Sequence, residues 1–282
     1  MQASDRRRFT APEGAAPLRW TEPAPSAPPV ASTSAGQLAR DDGRQLEQVR
    51  PVFLQPGLVT EAAGSAYIEA GRTKVMVAVY GPKPTPPSAP FNAKARLNVE
   101  VKFAPFASGV RRFVPGKDTE ATALAHSLHQ SLLPSLLLDL LPKSQIDLFV
   151  TVLESDGWDG DLSLGVTAAS VALAEAGIAM KGLVVGCSAA LLPSLSPSSP
   201  TPLILLDPTR AEALAAAAFL TFAAIPALGT VTNCAVKGVV GVEVLMEATQ
   251  KALEVCGALH GVARQVLVQA AEAAQAKEGE EQ

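Results

Sequence analysis

Arg111, Arg112 and Lys117 place three cations in the stretch 107–117, and that grouping is the most direct hint of chemistry in the chain. Cations in a loop suit contact with nucleic-acid phosphates, which is independent of base sequence and sensitive to salt. The same composition also describes a solvated basic loop. Arg96 is a further candidate, at the start of a predicted strand whose edge it would otherwise cover. Gly116-Lys117 does not make a P-loop, because Arg111 stands where the first glycine belongs and Asp118 where a Ser or Thr is required. Asp156, Asp159 and Asp161 have the charge of a calcium loop. Leu164 occupies the position of its sharp-turn glycine, however, and no bidentate Glu follows, so they are expected to cap a helix. His126 and His129 fall three apart on one predicted helix without a third ligand, and His260 stands alone. Neither suggests a metal site. Asp207-Pro208-Thr209 has the make-up of a capped turn.

The elements that must hold these residues follow from spacing. Gly64 to Pro82 reads as two strands joined at Gly71, the second so apolar that it is expected to be covered on both faces. From Leu97 to Phe103, apolar residues alternate with Asn98, Glu100 and Lys102, the period of a half-buried strand. Asp118 or Thr119 is placed to cap a helix with Leu124, Leu128, Leu132 and Leu136 along one stripe and Pro134 as a kink. The leucine-rich stretch 128–141 is read as buried helix. Strands are expected over 145–153, 183–191, 203–206 and 219–225. Residues 156–161 form a turn, 162–176 a helix closed by Gly177, and 242–276 a long final helix. Strands precede helices in two rounds, the pattern of an α/β fold built in α+β layers.

Composition sets the outer limits. A chain of 282 residues that is 48% hydrophobic can bury a large core, and a net charge of −4 confines any RNA contact to a local patch. Cys187, Cys234 and Cys256 are odd in number and far apart, which fits a reducing compartment and neither a disulfide framework nor zinc. Residues 1–46, opening with Arg6-Arg7-Arg8 and rich in Pro, Ala and Ser, are expected to be a disordered N-terminal tail without an export signal. Residues 47–276 form one domain and 277–282 a charged C-terminal tail. No membrane span is expected, since the leucine-rich stretch is too short.

Taken in order, the segments GSAYIEAGRTKVMVAVYGP, NVEVKFAPF, PKSQIDLFVTVLESDG, GVTAASVALAEAGIAMKGLVVGCSA and LILLDPTRAE resemble the RNase PH family over about residues 50–275. Within that family the similarity is greatest to a subunit of the eukaryotic RNA exosome ring. The resemblance implies a single ribosomal-protein-like domain with a left-handed βαβ crossover. Its implied partners are other RNase PH-like subunits in a heterohexameric ring, OB-fold or KH-type cap subunits, an associated catalytic ribonuclease, and RNA. Residence in nucleus, nucleolus and cytoplasm is implied too.

Active members of the family hold phosphate with an arginine at the start of the helix after the loop, and carry two acids six residues apart. Here Glu120 aligns at or beside that arginine. Asp207 matches the first acid, whereas Ala213 stands at the second, with Glu212 next to it. A carboxylate repels phosphate. The implied subunit is therefore non-catalytic, without cofactor or metal, with Asp207 and Glu212 as degenerate remnants and Arg111, Arg112 and Lys117 facing RNA near the channel mouth. The alternative is an active phosphate-dependent 3′-to-5′ exoribonuclease. A small-molecule binding protein of similar layering is a third reading.

Overall fold

The computed structural model describes residue 40 and residues 42–86, 92–108, 118–193 and 202–280. β1 (Val52–Pro56), β2 (Gly64–Ala70), β3 (Thr73–Pro84), β4 (Arg96–Phe103) and β5 (Ser144–Glu154) form one sheet in the order β1-β2-β3-β5-β4. The expected hairpin is β2 and β3, turning at Gly71 with φ 57°. β4 and β5 run parallel, and α1 (Thr119–Leu132) connects them as a βαβ unit. After α2 (Trp158–Glu175) come β6 (Val185–Leu192), β7 (Leu203–Leu206), α3 (Arg210–Ala215), β8 (Ala218–Ile225), β9 (Thr230–Gly238) and α4 (Val242–Glu280). The four strands make a second, antiparallel sheet in the order β7-β6-β8-β9.

The layers follow from where apolar residues fall. α2 contacts β2 and β3 of the first sheet and β6 of the second, so it lies between the two sheets, with α1 beside it against β4. Because both of its sides are covered, α2 is almost wholly Ala, Val, Leu and small polar residues, and 160–173 are all buried. Gly64 and Gly186 let the sheets approach it: a Cβ on Gly64 would collide with the Ala172 carbonyl, and one on Gly186 with the Ser163 carbonyl. α4 covers the far side of the second sheet, with Ala248, Ala252 and Cys256 fully buried against it. Burying Leu124, Leu128 and Leu132 of α1 contributes about 1.5–3 kcal/mol each, which anchors α1 under the first sheet.

Several expectations need correction. β3 is covered on one face only: Val75, Val77 and Val79 are fully buried, while Lys74, Met76, Ala78 and Tyr80 are half-buried on the face where Tyr80 meets Phe149 edge-on at 5.7 Å. Pro134 does not kink α1. The helix stops at Leu132, because Pro134 has no N–H to continue the i→i−4 bonding, and the chain goes on in two short 3₁₀ turns at Leu133–Ser135 and Leu138–Leu140, so 128–141 is not one helix. The turn placed at 156–161 ends early, since α2 begins at Trp158 with Gly157 as an N-cap that offers no side chain. None of Asp156, Asp159 and Asp161 is the N-cap residue of α2. β9 and α3 were not anticipated, because Thr230–Gly238 lacks alternation and Arg210–Ala215 is too short to show a period. Within the segment expected as tail, residues 40 and 42–46 are described, and Arg40 and Arg44 are buried.

Candidate functional site

The acidic remnants meet at the end of β7, where a strap formed by residue 40 and residues 42–50 crosses the sheet edge. Leu206 donates its N–H to the Leu46 carbonyl at 3.0 Å, so the strap takes the place of a further strand. Val49 packs on the small core of Leu206, Leu220 and Ala248. Asp207 follows with φ 48°, a left-handed conformation that aspartate tolerates better than most side chains, and its N–H bonds the Ser188 carbonyl at 2.8 Å. That turn aims the carboxylate at Arg50.

Both carboxylate oxygens of Asp207 are occupied. Arg50 donates from Nη2 to Oδ1 at 2.6 Å, and from Nε and its own backbone N–H to Oδ2 at 2.8 and 2.9 Å. Arg44 Nη1 lies 3.5 Å from the same Oδ2. Burial on its own raises the Asp207 carboxyl, but the Arg50 guanidinium and backbone N–H, with Arg44, outweigh it and hold the group below the usual aspartate range. Arg50 is correspondingly held charged: burial pulls it down, and Asp207, Asp156 and Asp42 raise it above the normal arginine value. Asp156, 3.1 Å from Arg50 Nη1, goes the other way, because burial outweighs Arg50, Arg72 and the Arg210 N–H and pushes its carboxyl up. Asp207 therefore does not cap the turn. Thr209 caps α3 instead, paired with Glu212 in a capping box.

Glu212 is equally committed. Arg40 grips it as a fork, Nε to Oε1 and Nη2 to Oε2, both at 2.8 Å, while the Thr209 N–H bonds Oε2 at 2.7 Å. Arg40 also donates to the Leu206 and Asp207 carbonyls at 2.9 and 2.7 Å. Two bidentate arginine pairs thus bind the strap to the chain after β7. Ala213, at the second acid position, lies in the same short helix and brings no carboxylate. With these oxygens engaged by guanidinium groups, the site is not disposed to bind a divalent cation or to shuttle a proton.

The start of α1, where the resemblance places a phosphate-binding arginine, is closed to anions in a similar manner. Asp118 accepts the N–H groups of Glu120 and Ala121 at 3.0 and 3.4 Å, which are donors a bound phosphate needs, and Glu120 adds a second negative charge. α1 packs on β4 and β9, whereas Asp207 leaves β7, and β6 and β8 lie between β9 and β7 in the sheet. Arg111, Arg112 and Lys117 lie outside the described residues. Arg96 opens β4, half-buried and engaged by neighbours. His126 is exposed beside Gln130 at 2.9 Å, and Asp161 is buried in α2 accepting from Ser155 Oγ. No cluster of three or more metal-ligating side chains occurs among the described residues. Cys187 and Cys256 are buried, and the neighbouring Cys256 thiol together with burial pushes the Cys187 thiol far up, away from the reactive thiolate.

Sequence reasoning missed Arg40, Arg44 and Arg50, and gave Asp156 a role other than its pairing with Arg50. A signal was present: Asp41-Asp42-Gly43 marks a turn, with Gly43 at φ 72°, between arginines that composition alone assigned to a solvated tail.

Comparison with known proteins places this arrangement in context. Residues 48–179 match the model of the 3′ exoribonuclease family, domain 1, known as RNase PH. The exosome complex component MTR3 of Homo sapiens is 39% identical over 241 residues, covering 81% of this chain and 86% of that protein. The exosome complex component Rrp41 of Pyrococcus furiosus is 34% identical over 245 residues, covering 86% and 94%. Among solved structures, rice (Oryza sativa) Rrp46 superposes with a TM-score of 0.68 at 25% identity, covering 81% of this chain and all of that one.

Proposed function

We infer that this chain, which belongs to the RNase PH family, is a non-catalytic scaffold subunit of an exosome-type ring. In that role it joins other RNase PH-like subunits, supports cap subunits of the OB-fold or KH type, and lines an RNA path that serves an associated 3′-to-5′ ribonuclease. Both of its relatives above are exosome complex components, and the chain spans most of each. Nuclear, nucleolar and cytoplasmic residence fits that assignment.

The clamped acidic pair is the observation that carries the reading. Phosphorolysis requires a cation to receive inorganic phosphate and acids free to assist the leaving group. Here Asp207 and Glu212 are each gripped by an arginine of the strap, Ala213 replaces the second acid, and Asp118 with Glu120 sits where phosphate would dock. Asp207 and Glu212 thereby act as structural ties. Arg111, Arg112 and Lys117 supply sequence-independent phosphate contacts to passing RNA.

The test is a phosphorolysis assay of the purified full chain with a single-stranded RNA oligonucleotide and inorganic phosphate. Release of nucleoside diphosphate at background level is expected. Phosphate-dependent release that disappears in Asp207→Asn would establish the enzyme instead. A triple Arg111→Ala, Arg112→Ala, Lys117→Ala variant in the assembled complex is expected to weaken RNA binding and flatten its salt dependence; unchanged binding would remove the loop from the RNA path.

A further inference from the structure

Two of the three cysteines lie side by side between α4 and the second sheet, away from the acidic site. Cys187 stands on β6 and Cys256 on α4, in one buried cluster with Val185, Phe222, Ala224 and Ala252. Neither is more than 3% exposed, and both are free thiols. The residues around them set how close helix and strand come. α4 presents Ala248, Ala252 and Cys256 to the sheet, one turn apart and fully buried, while β6 presents Val185, Cys187 and Ala189 by strand alternation. Such small side chains let the helix approach the strand closely. Cys256 Sγ thus reaches the β6 backbone itself, donating to the Val185 carbonyl at 3.7 Å, and Cys187 Sγ donates to the Ser188 carbonyl at 3.6 Å. The two thiols are neighbours.

Cys234 is not an alternative partner within the chain. Cys187 stands level with Phe222, and Phe222 with Cys234, so two strand spacings, about 10 Å, separate the Cα atoms of Cys187 and Cys234. A disulfide requires Cα atoms within about 7 Å of each other. That leaves Cys256 on the facing helix.

We propose that Cys187 and Cys256 form a disulfide site, and that closing it fastens α4 to β6. The oxidant is a small disulfide of the glutathione kind. One cysteine, as thiolate, attacks a sulfur of the small disulfide; that S–S bond breaks, and one small thiol departs with the proton the cysteine gave up. The second cysteine then attacks the first at its sulfur, and the other small thiol departs in the same way. Two protein thiols are oxidised to one disulfide, and the small disulfide is reduced to two thiols. Each step needs a thiolate. Burial and the neighbouring thiol hold Cys187 protonated in the finished core, so the bridge closes while α4 is still docking, and the same burial then shields it. The loop it closes, residues 187–256, contains β7, α3, β8 and β9, and a loop of that size constrains the unfolded chain strongly.

A disulfide map of the full chain decides it. The chain is unfolded in urea, refolded in excess oxidised glutathione, alkylated, digested without reductant and read by mass spectrometry. Peptides holding Cys187 and Cys256 are expected to be joined in most refolded chains, lighter than their sum by two hydrogen atoms, with Cys234 carrying glutathione. The oxidised chain is expected to melt higher than the reduced one by about 5 °C or more. Cys256→Ala, which keeps a small apolar side chain under the sheet, is expected to lose both the link and the shift, and Cys234→Ala to keep both. Cys187 and Cys256 recovered as free thiols from a refolded chain, or linked to Cys234, overturn the proposal, and the pair is then apolar packing alone. The same map on natively isolated chain, held in oxidised glutathione at sub-denaturing urea, is independent of refolding yield; two free thiols there count against the site equally.

Discussion

At one edge of the four-stranded sheet, β7 ends after four residues and its last N–H is taken by the strap; at the other, β9 runs nine residues and pairs with no further strand among the described residues. The closed edge carries three buried arginines, paired with Asp42, Asp156, Asp207 and Glu212. The open edge carries valines. The two borders of one sheet are thus finished differently, one by buried ion pairs from a remote segment and the other by β9, most of whose residues are exposed. The closed edge is also where Asp207 and Glu212 lie, so the interactions that finish the fold there are the ones that occupy both carboxylates.

Substitutions at the two edges accordingly differ in their cost. The largest loss of stability is expected from Asp207→Ala, which leaves the Arg50 guanidinium buried without its main partner; about 3–5 kcal/mol is the usual cost, read as a shift in the urea midpoint. Replacing Glu212 by Ala removes a capping box and the Arg40 fork together, and about 1–3 kcal/mol is expected from the same measurement. Acid sharpens the picture further. The Asp207 carboxyl lies below its unfolded-state value, so its contribution is complete above about pH 4 and is lost as pH falls through the depressed folded-state value. Asp156, raised by burial, has the opposite sign: its ionisation subtracts stability as pH climbs past the ordinary aspartate value. Asp156→Asn is accordingly expected to cost less than Asp207→Asn at pH 7, with equal costs breaking the assignment. The smallest effect on stability, within about 0.5 kcal/mol in the same urea measurement, belongs to Val239→Glu, 97% exposed just beyond β9.

What the sequence made legible depended on whether the determining contacts were local. The hairpin of β2 and β3, the alternating β4 and the leucine stripe of α1 each follow from a period within one segment; β4 stands as expected, the hairpin stands with β3 covered on one face, and the stripe stands as far as Leu132. Family resemblance singled out Asp207, Ala213 and Glu120, and the structure places Asp207 just after β7, Ala213 in α3 and Glu120 in the first turn of α1. What was not legible came from distance in the chain: Arg40 meets Glu212 across 172 residues and Arg50 meets Asp207 across 157, and no local pattern announces such pairs. β9 escaped notice for a related reason. Its residues alternate neither in polarity nor in burial, since most of them are exposed among the described residues. The two regions missed from sequence are thus the two borders of one sheet, one of them completed by a remote segment.

The most direct measurement is native mass spectrometry of the tagged chain isolated gently from its own cells. A heteromeric complex containing several different RNase PH-fold subunits, with this chain present once, is the result expected of a ring scaffold whose own acids are tied to arginine. A homohexamer would contradict the account, and phosphate-dependent degradation of RNA by that hexamer would return Asp207 and Glu212 to catalysis.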